Sequence, residues 1–539
     1  MTSPALTRRT LLGTGLAAAA GAALSGCQTG DGTDGSPGGG GEQATRPTFV
    51  AFDGPEPDLV GDAEIGLPNG YLSYPDPPAS TGRVPLELSA PVSMLMQRNP
   101  PVSGRSDNKW WQRLEVDLGA ELQVTSVEST QYKAKFQTVT AGDELADLTQ
   151  FVTVPQLPTL LEKMFTDLTP YLSGDKVKDY PNLANHPSAA WDMCTVDGRI
   201  WGVTNPRVVA GSVLMTRGDV LDSKGIDKMP DLSDGEDFLD LCREVTDRDK
   251  GIFAIGQVPQ NWTIPLIMEA LGGPNTWTIK DGVWTSAYES PEFAQALEIV
   301  TAMYDEGLFH PNSYTDLSST PSWFDAGVTA MFAQNFAIWQ GLTANAEFPC
   351  GAVVMPKWDG GGKATKHLGA PGYGAPMGLK KLDDEARIDE LLRVLDYVAS
   401  PFGTEEYLTV NYGVKDRQWK LVDNQVVLDA EIYETEQIPG LIYAGANTAM
   451  GLYAPGKPEP TKDAFNYCKE VIPDGIPNPE YGKYSDTAGT DGEQANVKLN
   501  DLMGSIIQGR AKMSEWEAGV KAWKDEAGDA IAREYAEQG

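Results

Sequence analysis

The stretch Ser290-Pro-Glu-Phe-Ala-Gln-Ala-Leu-Glu-Ile-Val-Thr-Ala-Met-Tyr304 predicts an amphipathic helix. Serine followed by proline is typical of a helix start, because the hydroxyl accepts a backbone hydrogen bond and proline fits the first helical position. Phe293, Leu297, Val300 and Tyr304 then share one helical face. The stretch therefore predicts a helix that packs its apolar face against another layer.

Three other segments repeat this helical pattern. Ser233 and Glu236 have the spacing of a capping box, and so do Ser514 and Glu517. The apolar positions of the three segments are Phe238, Leu241, Cys242 and Val245; Ile388, Leu391, Leu392, Leu395 and Val398; and Trp516, Val520, Trp523 and Ile531. Because strand-like runs alternate with these helices, the sequence predicts an α/β fold.

Short apolar runs give the predicted strands. Residues 200–203 and 351–355 are predicted to be buried strands, and Val84-Pro-Leu-Glu-Leu-Ser-Ala90 alternates as a first strand does. Residues 28–46 are mostly Gly, Asp, Ser, Thr and Pro and predict a flexible tether, followed by an irregular segment over 49–82. We therefore expect the ordered fold to begin near residue 84.

The N-terminus predicts an export signal. Arg8 and Arg9 precede an uncharged stretch from Thr10 to Gly26, which is too short to cross a hydrocarbon core of about 30 Å as a permanent helix. The twin arginine resembles a Tat signal, which exports folded chains. The competing interpretation is an uncleaved Ala/Gly-rich helix.

Leu24-Ser-Gly-Cys27 resembles the bacterial lipobox. The resemblance implies that residues 1–26 are a Tat-type lipoprotein signal peptide and that Cys27 carries a lipid, palmitate included. Residues 27–47 would then be the lipidated cysteine and its tether. We expect the protein at the extracytoplasmic face of the cell membrane.

Size and charge restrict the remaining possibilities. A chain of 539 residues exceeds what one hydrophobic core supports, so at least two lobes are expected. With 76 acidic and 42 basic residues, the net charge of −34 argues against nucleic acid as a partner and disfavours a polyanionic ligand without excluding it.

Four cysteines remain beside Cys27, namely Cys194, Cys242, Cys350 and Cys468, without a C-x-x-C pair. Their spacing argues against a zinc site, and four cysteines permit three disulfide pairings. Folding in a reducing cytoplasm before Tat export favours buried thiols, although the sequence does not decide between thiols and disulfides.

Catalytic signatures are missing from the sequence. His186, His310 and His367 have no metal-ligand spacing, and no G-x-S-x-G elbow, P-loop or strand-linked G-x-G-x-x-G occurs. We expect no enzyme, no catalytic residues and no cofactor. A polysaccharide-degrading enzyme remains the first alternative, since its two carboxylates need no fixed spacing.

Aromatic residues are abundant, with 13 tryptophans and 19 tyrosines. Several lie in turn-like contexts beside amides or acids, such as Asn261-Trp262, Pro274-Asn-Thr-Trp277, Lys357-Trp-Asp359 and Pro371-Gly-Tyr-Gly374. Sugar rings pack on aromatic faces while their hydroxyls require polar neighbours, so this pattern suits a carbohydrate cleft. Trp516 and Trp523, at helical spacing, are better explained as core residues.

Five motifs give a resemblance to extracellular solute-binding lipoproteins of bacterial ABC importers, in the carbohydrate-binding group. The layout is most similar to long oligosaccharide-binding lipoproteins related to the alginate-binding and LplA-type proteins. The motifs are Val196-Asp-Gly-Arg-Ile-Trp-Gly-Val203, Thr216-Arg-Gly-Asp-Val-Leu-Asp-Ser-Lys-Gly-Ile226, Met303-Tyr-Asp-Glu-Gly-Leu308 with Phe324-Asp-Ala-Gly-Val-Thr-Ala-Met331, Asn411-Tyr-Gly-Val-Lys-Asp-Arg-Gln-Trp419, and Met513-Ser-Glu-Trp516 with Trp523.

The resemblance implies a type II periplasmic-binding-protein-like α/β fold with hinge crossings and a ligand cleft between two lobes. It places crossings at 204–213 and 352–357 and a return near Tyr412. The implied division is 84–208 for the N-terminal lobe, 209–353 for the C-terminal lobe, 354–411 for a return to the N-terminal lobe, and 412–539 mainly for the C-terminal lobe and closing helices.

Eleven positions become candidates for ligand contact through the resemblance. The loop from Ala141 to Asp147 is similar to one after which relatives contact sugar, and the others lie near a helix start, the crossings or the second lobe. The candidates are Asn108, Trp110, Gln150, Phe151, Arg207, Trp262, Asn335, Trp339, Tyr373, Tyr412 and Trp419. A structural role is an equally good interpretation of each.

One segment departs from the family pattern. Many relatives carry a calcium loop where this chain has Thr246-Asp-Arg-Asp-Lys-Gly-Ile-Phe253, which lacks the alternating oxygen ligands. We therefore predict no metal there.

The leading hypothesis is a monomeric, non-enzymatic receptor that captures a sugar or oligosaccharide and delivers it to the transmembrane subunits of an ABC permease. The alternatives are the lipid-anchored polysaccharide-degrading enzyme and a receptor for a non-sugar solute that feeds a sensor. The sequence leaves the sugar, its length and its linkages open.

Overall fold

A computed structural model describes residues 44–97 and 104–538. The signal sequence, Cys27 and most of the predicted tether lie outside these residues. No helix in the described part of the chain has the length and apolarity that a membrane crossing needs.

Eight strands form two separate four-stranded sheets. In chain order they are β1 Val92–Gln97, β2 Leu122–Val127, β3 Leu148–Gln150, β4 Ser212–Arg217, β5 Phe253–Ile255, β6 Thr329–Asn335, β7 Cys350–Val353 and β8 Met377–Leu379. The first sheet has the order β8-β3-β1-β2, with β1 parallel to β2 and β3 and with β8 antiparallel to β3. The second sheet has the order β7-β4-β6-β5, in which only β5 and β6 are parallel.

Side-chain alternation buries both faces of each sheet. On β1, Met94 and Met96 pack into one hydrophobic cluster, whereas Leu95 packs into another. On β4, Leu214 and Met215 divide between two clusters in the same way. Since successive side chains of a strand point to opposite faces, each sheet is the middle layer of its own core.

Helices cover the faces of both sheets. Those with buried residues in the clusters around the first sheet are Lys109–Leu118, Ser129–Ala141, Leu157–Met164, Thr169–Leu172, Glu385–Val398 and Glu405–Tyr412, and Ala430–Glu436 packs its partly buried Tyr433 against the same core. Those in the clusters around the second sheet are Gly218–Asp222, Gly235–Val245, Pro259–Leu271, Pro291–Asp305, Thr320–Asp325, Ile338–Asn345, Pro458–Val471, Asp491–Ile507, Trp516–Trp523 and Asp529–Ala536. The predicted α/β class is confirmed.

Short two-stranded pairs complete the strand inventory of the described residues. They are Asn69–Gly70 with Gly451–Leu452, Thr195–Val196 with Arg199–Ile200, Trp277–Lys280 with Val283–Ser286, and Trp419–Val422 with Gln425–Leu428. Residues 351–355 largely form β7 as predicted, but in 200–203 only Ile200 belongs to a strand.

The N-terminal boundary predicted from the sequence is wrong. Residues 44–83 pack on the body of the protein, with Leu67 and Tyr74 buried and Asn69–Gly70 paired to Gly451–Leu452. Residues 44–47 of the predicted tether are also held in place, since the Ala44 N–H donates to the Gly198 carbonyl. Scattered apolar residues in a Pro/Gly-rich segment suffice to dock it, although they show no periodicity.

The predicted first strand at 84–90 is also wrong. Leu86 and Leu88 are buried as the alternation suggests. However, their N–H groups donate to the carbonyls of Asp117 and Leu118 at the end of a helix, not to a neighbouring strand. The first sheet strand therefore begins at Val92.

Helix starts were located correctly, but two caps were misassigned. The Ser290 hydroxyl accepts from the Phe293 N–H at 3.2 Å, which confirms that prediction. The N-cap of Gly235–Val245 is Asp234, whose carboxylate accepts from the backbone N–H groups of Glu236 and Asp237. The predicted capping box of Ser233 and Glu236 is therefore wrong. The Ser514/Glu517 box is wrong too, because a 3-10 turn over Met513–Glu515 precedes the helix.

The four cysteines described by the structure are buried free thiols, as the sequence favoured. Cys194, Cys242 and Cys468 each lie in a different hydrophobic cluster. Burial raises the pKa of the Cys350 thiol to about 12. These thiols are therefore protonated and unreactive at neutral pH.

Candidate functional site

Two chain segments run side by side between the sheets. Residues 203–211 lead into β4, and residues 368–377 lead back into β8. They pair in antiparallel fashion through the bridges Val203 to Met377 and Pro206 to Gly372. The Gly369 N–H also donates to the Val209 carbonyl at 2.9 Å. We call this pair of segments the hinge ribbon.

A third connection lies beside the hinge ribbon. Ala446 belongs to the first sheet's core and Leu452 to a core of the second sheet, so residues 446–452 also pass between them. The Asn205 amide donates to the Ala446 carbonyl and ties this connection to the ribbon.

Two predicted crossing positions need correction. Met355, in the predicted crossing 352–357, and Trp358 just after it pack in the second sheet's core. Val410, two residues before Tyr412, packs in the first sheet's core, and so do Ala444 and Ala446. The crossings fall later, at 368–377 and 446–452.

A cavity of about 530 Å³ opens against the hinge ribbon on the side of the second sheet. Its walls combine ribbon residues with helix starts and the loops around 275 and 286. The lining residues are Gly211, Ser212, Gln260, Asn261, Ile264, Pro265, Met268, Glu269, Pro274, Asn275, Thr276, Ser286, Ala287, Tyr288, Phe293, Asn335, His367, Leu368, Gly369, Ala370, Tyr481, Asn500 and Met503.

Side-chain amides give the cavity its hydrogen-bonding character. The Asn275 amide nitrogen donates to the carbonyls of Leu368 and Ile476 and so fixes its loop to the ribbon. Gln260 accepts from the Tyr314 hydroxyl at 2.7 Å, which orients its amide. Asn261 is exposed at the rim. Each amide both donates and accepts, as recognition of hydroxyl groups requires.

Glu269, which lines the cavity, belongs to a buried ion pair. Lys366 Nζ lies 3.0 Å from Glu269 Oε1, with side-chain exposures of 4% and 3%. Burial raises the pKa of Glu269 against the opposing effect of Lys366. Burial acts to lower the pKa of Lys366, but the nearby Glu269 carboxylate leaves it raised. Lys366 also donates to the Ser212 carbonyl, so the pair holds the start of β4 to the ribbon.

His367 lies next to this pair and faces the cavity. Burial lowers the pKa of its imidazole to about 4, and a ring nitrogen lies 3.0 Å from the Gly273 carbonyl oxygen. The ring is therefore neutral at pH 7 and acts as a hydrogen-bonding group, not as a charge.

A polar group from the first sheet meets the other end of the ribbon. Gln97 and Gln150 lie at the carboxyl ends of the parallel strands β1 and β3, and the Gln97 N–H donates to Gln150 Oε1 at 2.7 Å. The Tyr373 hydroxyl donates to Gln97 Oε1 at 3.3 Å. The Arg207 guanidinium lies 4.8 Å from the centre of the Tyr373 ring. Ligands of open α/β sheets bind at such carboxyl ends.

The structure brings five of the eleven predicted contact residues to the ribbon or the cavity. Gln150, Phe151, Arg207 and Tyr373 lie at the ribbon, and Asn335 lines the cavity. Trp262 follows the lining residue Asn261 but is itself partly buried against the second sheet's core.

The other five lie in packed surroundings away from the cavity lining. Asn108 caps Lys109–Leu118, and Trp110 packs on Tyr433. The indoles of Trp339 and Trp419 donate to backbone carbonyls, while Tyr412 packs against the Tyr407 ring. A contact with ligand stays a prediction for all eleven.

The eleven candidates include Asn335 but none of the other side-chain amides that line the cavity. Asn261 and Asn275 stand in turn segments that were singled out for Trp262 and Trp277, yet the amide and not the indole lines the cavity. Trp277 is buried against Trp284 and Trp523. For Asn261 and Asn275, their position just before a tryptophan was the sequence signal that could have identified them as lining residues. The sequence around Gln260, His367 and Asn500 contains no comparable signal.

The segment that corresponds to the calcium loop does not fit a cation. Lys250 Nζ lies 2.7 Å from the Asp247 carboxylate, and Arg248 donates to the Glu306 carbonyl. Positive side chains thus occupy the positions around these oxygens. The absence of a metal there stays a prediction.

Two α/β bodies joined by a hinge ribbon, with a cavity beside that ribbon, define a type II periplasmic-binding-protein-like fold. The chain belongs to the family of bacterial extracellular solute-binding proteins, whose family model matches residues 109–387, more than half of the sequence.

Two relatives come from Bacillus subtilis (strain 168). The lipoprotein LipO is 24% identical over 453 residues, which cover 78% of this chain and 86% of LipO. The polygalacturonan/rhamnogalacturonan-binding protein YtcQ is 20% identical over 471 residues, 83% of this chain and 90% of YtcQ. Among solved structures, the alginate-binding protein AlgQ2 without calcium ion has a TM-score of 0.60 at 12% identity, covering 83% of this chain and 99% of AlgQ2. The predicted family and fold are confirmed.

Proposed function

We propose that this solute-binding protein captures an oligosaccharide in the cavity beside the hinge ribbon and delivers it to the permease of an ABC importer. The observation that carries the proposal is the cavity itself, lined by Asn261, Asn275, Asn335 and Asn500 together with aromatic rings. Amides match sugar hydroxyls and rings match the C–H faces of a sugar. YtcQ is named for binding polygalacturonan and rhamnogalacturonan, and AlgQ2 for binding alginate, which supports a carbohydrate ligand.

The proposed mechanism is closure about the hinge ribbon. The two sheets have separate cores, and the ribbon and residues 446–452 connect them. A ligand that contacts both sides favours a closed arrangement by its differential affinity. In this proposal the two sheets are the centres of the two lobes. Residues 438, 441, 444 and 446 pack with the first sheet's core, which supports ending the N-terminal lobe's last contribution near 446 instead of 411.

We further propose a lipid anchor at Cys27. The lipobox motif lies outside the described residues, and the relative LipO is named as a lipoprotein. An anchor would keep the receptor near its permease and raise the effective concentration for delivery. Mass spectrometry of the membrane fraction should find a mature chain that begins at lipidated Cys27; an unprocessed N-terminus would contradict the anchor.

The binding experiment uses purified protein and a panel of neutral and acidic oligosaccharides. At least one sugar should raise the unfolding temperature with concentration and give heat in a titration. Asn261→Ala should weaken that binding by about tenfold, as expected for losing a hydrogen bond to ligand. Asn312→Ala is the matched control, because Asn312 is exposed and does not line the cavity.

Three results would contradict the proposal. Absence of binding across the panel would contradict the carbohydrate-binding function. Equal losses of sugar affinity in Asn261→Ala and Asn312→Ala would contradict the proposed location of the binding site. Release of reducing ends from any bound polysaccharide would favour the enzyme alternative instead. Size-exclusion chromatography with and without the sugar tests the proposed monomer.

A further inference from the structure

Arg207 is an arginine without a carboxylate partner. Most arginines in this acidic chain are paired; Arg217, Arg243 and Arg387, for example, each form ion pairs. Among the described residues, no acidic group lies within ion-pair distance of Arg207, and its buried Nε has no hydrogen-bond partner. Since a buried, unpaired donor is costly, the arrangement indicates a partner that the protein itself does not supply.

The surroundings hold this guanidinium in a fixed place. The backbone N–H of Arg207 donates to the Pro371 carbonyl, and the backbone N–H of Tyr373 donates to the Asn205 carbonyl. The main chain of both residues is therefore fixed in the hinge ribbon. The guanidinium packs on the Tyr373 ring, which stacks on Tyr443 with ring centres 4.6 Å apart. The Tyr373 hydroxyl is in turn held by Gln97.

A fixed guanidinium has a preferred ligand chemistry. Its planar fork of N–H donors matches a carboxylate, with which it forms two parallel hydrogen bonds. The net charge of −34 repels anions at long range, but that repulsion is screened over about 8 Å at physiological ionic strength. At contact distance, the interaction is therefore decided by the local, unneutralised Arg207 guanidinium at the hinge ribbon.

We propose that Arg207 binds the carboxylate of an acidic sugar unit, so that the ligand of this receptor is a uronic-acid-containing oligosaccharide. The inference rests on the proposed function and adds the class of sugar and the residue that selects it. Tyr373 acts as a positioning residue that keeps the guanidinium directed across the ribbon, and the amides of the cavity read the hydroxyl groups.

The test compares trigalacturonate with its fully methyl-esterified form, which keeps the rings and hydroxyls but removes the charges. Wild-type protein should bind the acid at least about tenfold more tightly than the ester, a difference typical of a charge-assisted bidentate contact. Arg207→Gln should abolish that preference while leaving the affinity for the ester unchanged. Arg207→Lys should keep part of the preference, since lysine retains the charge but not the fork.

Arg533→Gln, on the last helix and outside the cavity lining, is the matched control and should leave the preference intact. Thermal unfolding of each variant establishes that it is folded. Equal affinity of wild-type protein for acid and ester would overturn the role of Arg207 while leaving carbohydrate binding in place. A loss of affinity for both forms in Arg207→Gln would also overturn it. Binding of neither form, together with none across the wider panel, would remove the proposed function as well.

Discussion

Lys366 and the cavity-lining residue Glu269 illustrate how single residues connect stability to the site. Both are almost fully buried, and each supplies the only close opposite charge that the described structure gives the other. Neither residue stands out in the sequence, because the two are separated by nearly a hundred positions and meet only through the fold. Arg207, in contrast to this pair, was predicted from the sequence to lie in a crossing segment. Its lack of a carboxylate partner was not predictable from the sequence.

Lys366→Met should destabilise the protein strongly. Breaking a buried pair leaves the Glu269 charge without compensation, which costs about 3 to 5 kcal/mol in the free energy of unfolding. Adding Glu269→Gln should recover part of that loss. Lys521→Met removes an exposed pair, with 73% and 62% side-chain exposure, and should cost less than about 1 kcal/mol. Urea unfolding measures the free energy of unfolding of all three variants. Similar losses of this free energy in Lys366→Met and Lys521→Met would contradict the predicted importance of the buried pair.

His367 should make stability depend on pH in a defined direction. Its folded pKa of about 4 lies below the unfolded value of about 6.5, so the unfolded chain takes up the proton first. The resulting contribution to stability is complete above about pH 6.5 and is lost as the pH falls toward 4.

In His367→Gln, the free energy of unfolding should therefore fall less steeply over this range, by up to about 1.4 kcal/mol per pH unit. Denaturant unfolding at several pH values measures the slopes. His186, whose burial lowers its pKa to about 3, remains in both proteins and cancels in the comparison. Parallel curves for the two proteins would show that His367 does not titrate as described.

Among the helices and strands, periodicity located the four helical segments predicted from the sequence but not their local chemistry. The apolar stripes of Pro291–Asp305 and Glu385–Val398 are buried as the spacing requires. Cap choice failed at Asp234, because neighbouring Ser and Asp residues are both good caps and the backbone decides between them. Residues 84–90 failed because alternation records burial and not the hydrogen-bonding partner of the backbone.

Asp234→Ala should cost about 1 kcal/mol in the free energy of unfolding, since its carboxylate accepts from two N–H groups at the start of Gly235–Val245. Ser233→Ala is the matched neighbour and should leave that free energy unchanged within about 0.5 kcal/mol. Denaturant titration of the two variants distinguishes them. A larger loss of unfolding free energy in Ser233→Ala than in Asp234→Ala would show that Ser233 is the capping residue.

The hinge ribbon depends on Gly211. Its φ of 65° is unfavourable for other residues, and an added Cβ would lie 2.5 Å from the His367 carbonyl oxygen. Gly225 has a similar φ of 73° but open space around it. Gly225→Ala should therefore cost about 1 kcal/mol from backbone strain alone, and Gly211→Ala clearly more.

Differential scanning calorimetry of the two glycine variants measures the difference in unfolding temperature. Gly211→Ala should also weaken sugar binding, because the backbone shift that relieves the contact moves the cavity wall. Equal destabilisation by the two changes would show that the ribbon tolerates a side chain at this position.

For the whole molecule, the sequence was sufficient for the class and the family but not for the geometry of the cleft. Motifs such as Val196 to Val203 and Asn411 to Trp419 identify the family, and the strand and helix alternation gives the fold. The cavity arises where the loop around Asn275 meets the hinge ribbon, a contact between residues almost a hundred positions apart. Such pairings depend on three-dimensional packing, which neither spacing nor composition encodes directly.

A crystal structure of the protein with a bound oligosaccharide from the titration panel would show directly where the sugar binds. We expect the sugar against the hinge ribbon, with hydroxyl groups in hydrogen-bond contact with Asn261 or Asn335 and the second side of the ligand facing Tyr373. A sugar bound away from residues 203–211 and 368–377, with the cavity unoccupied, would contradict the account.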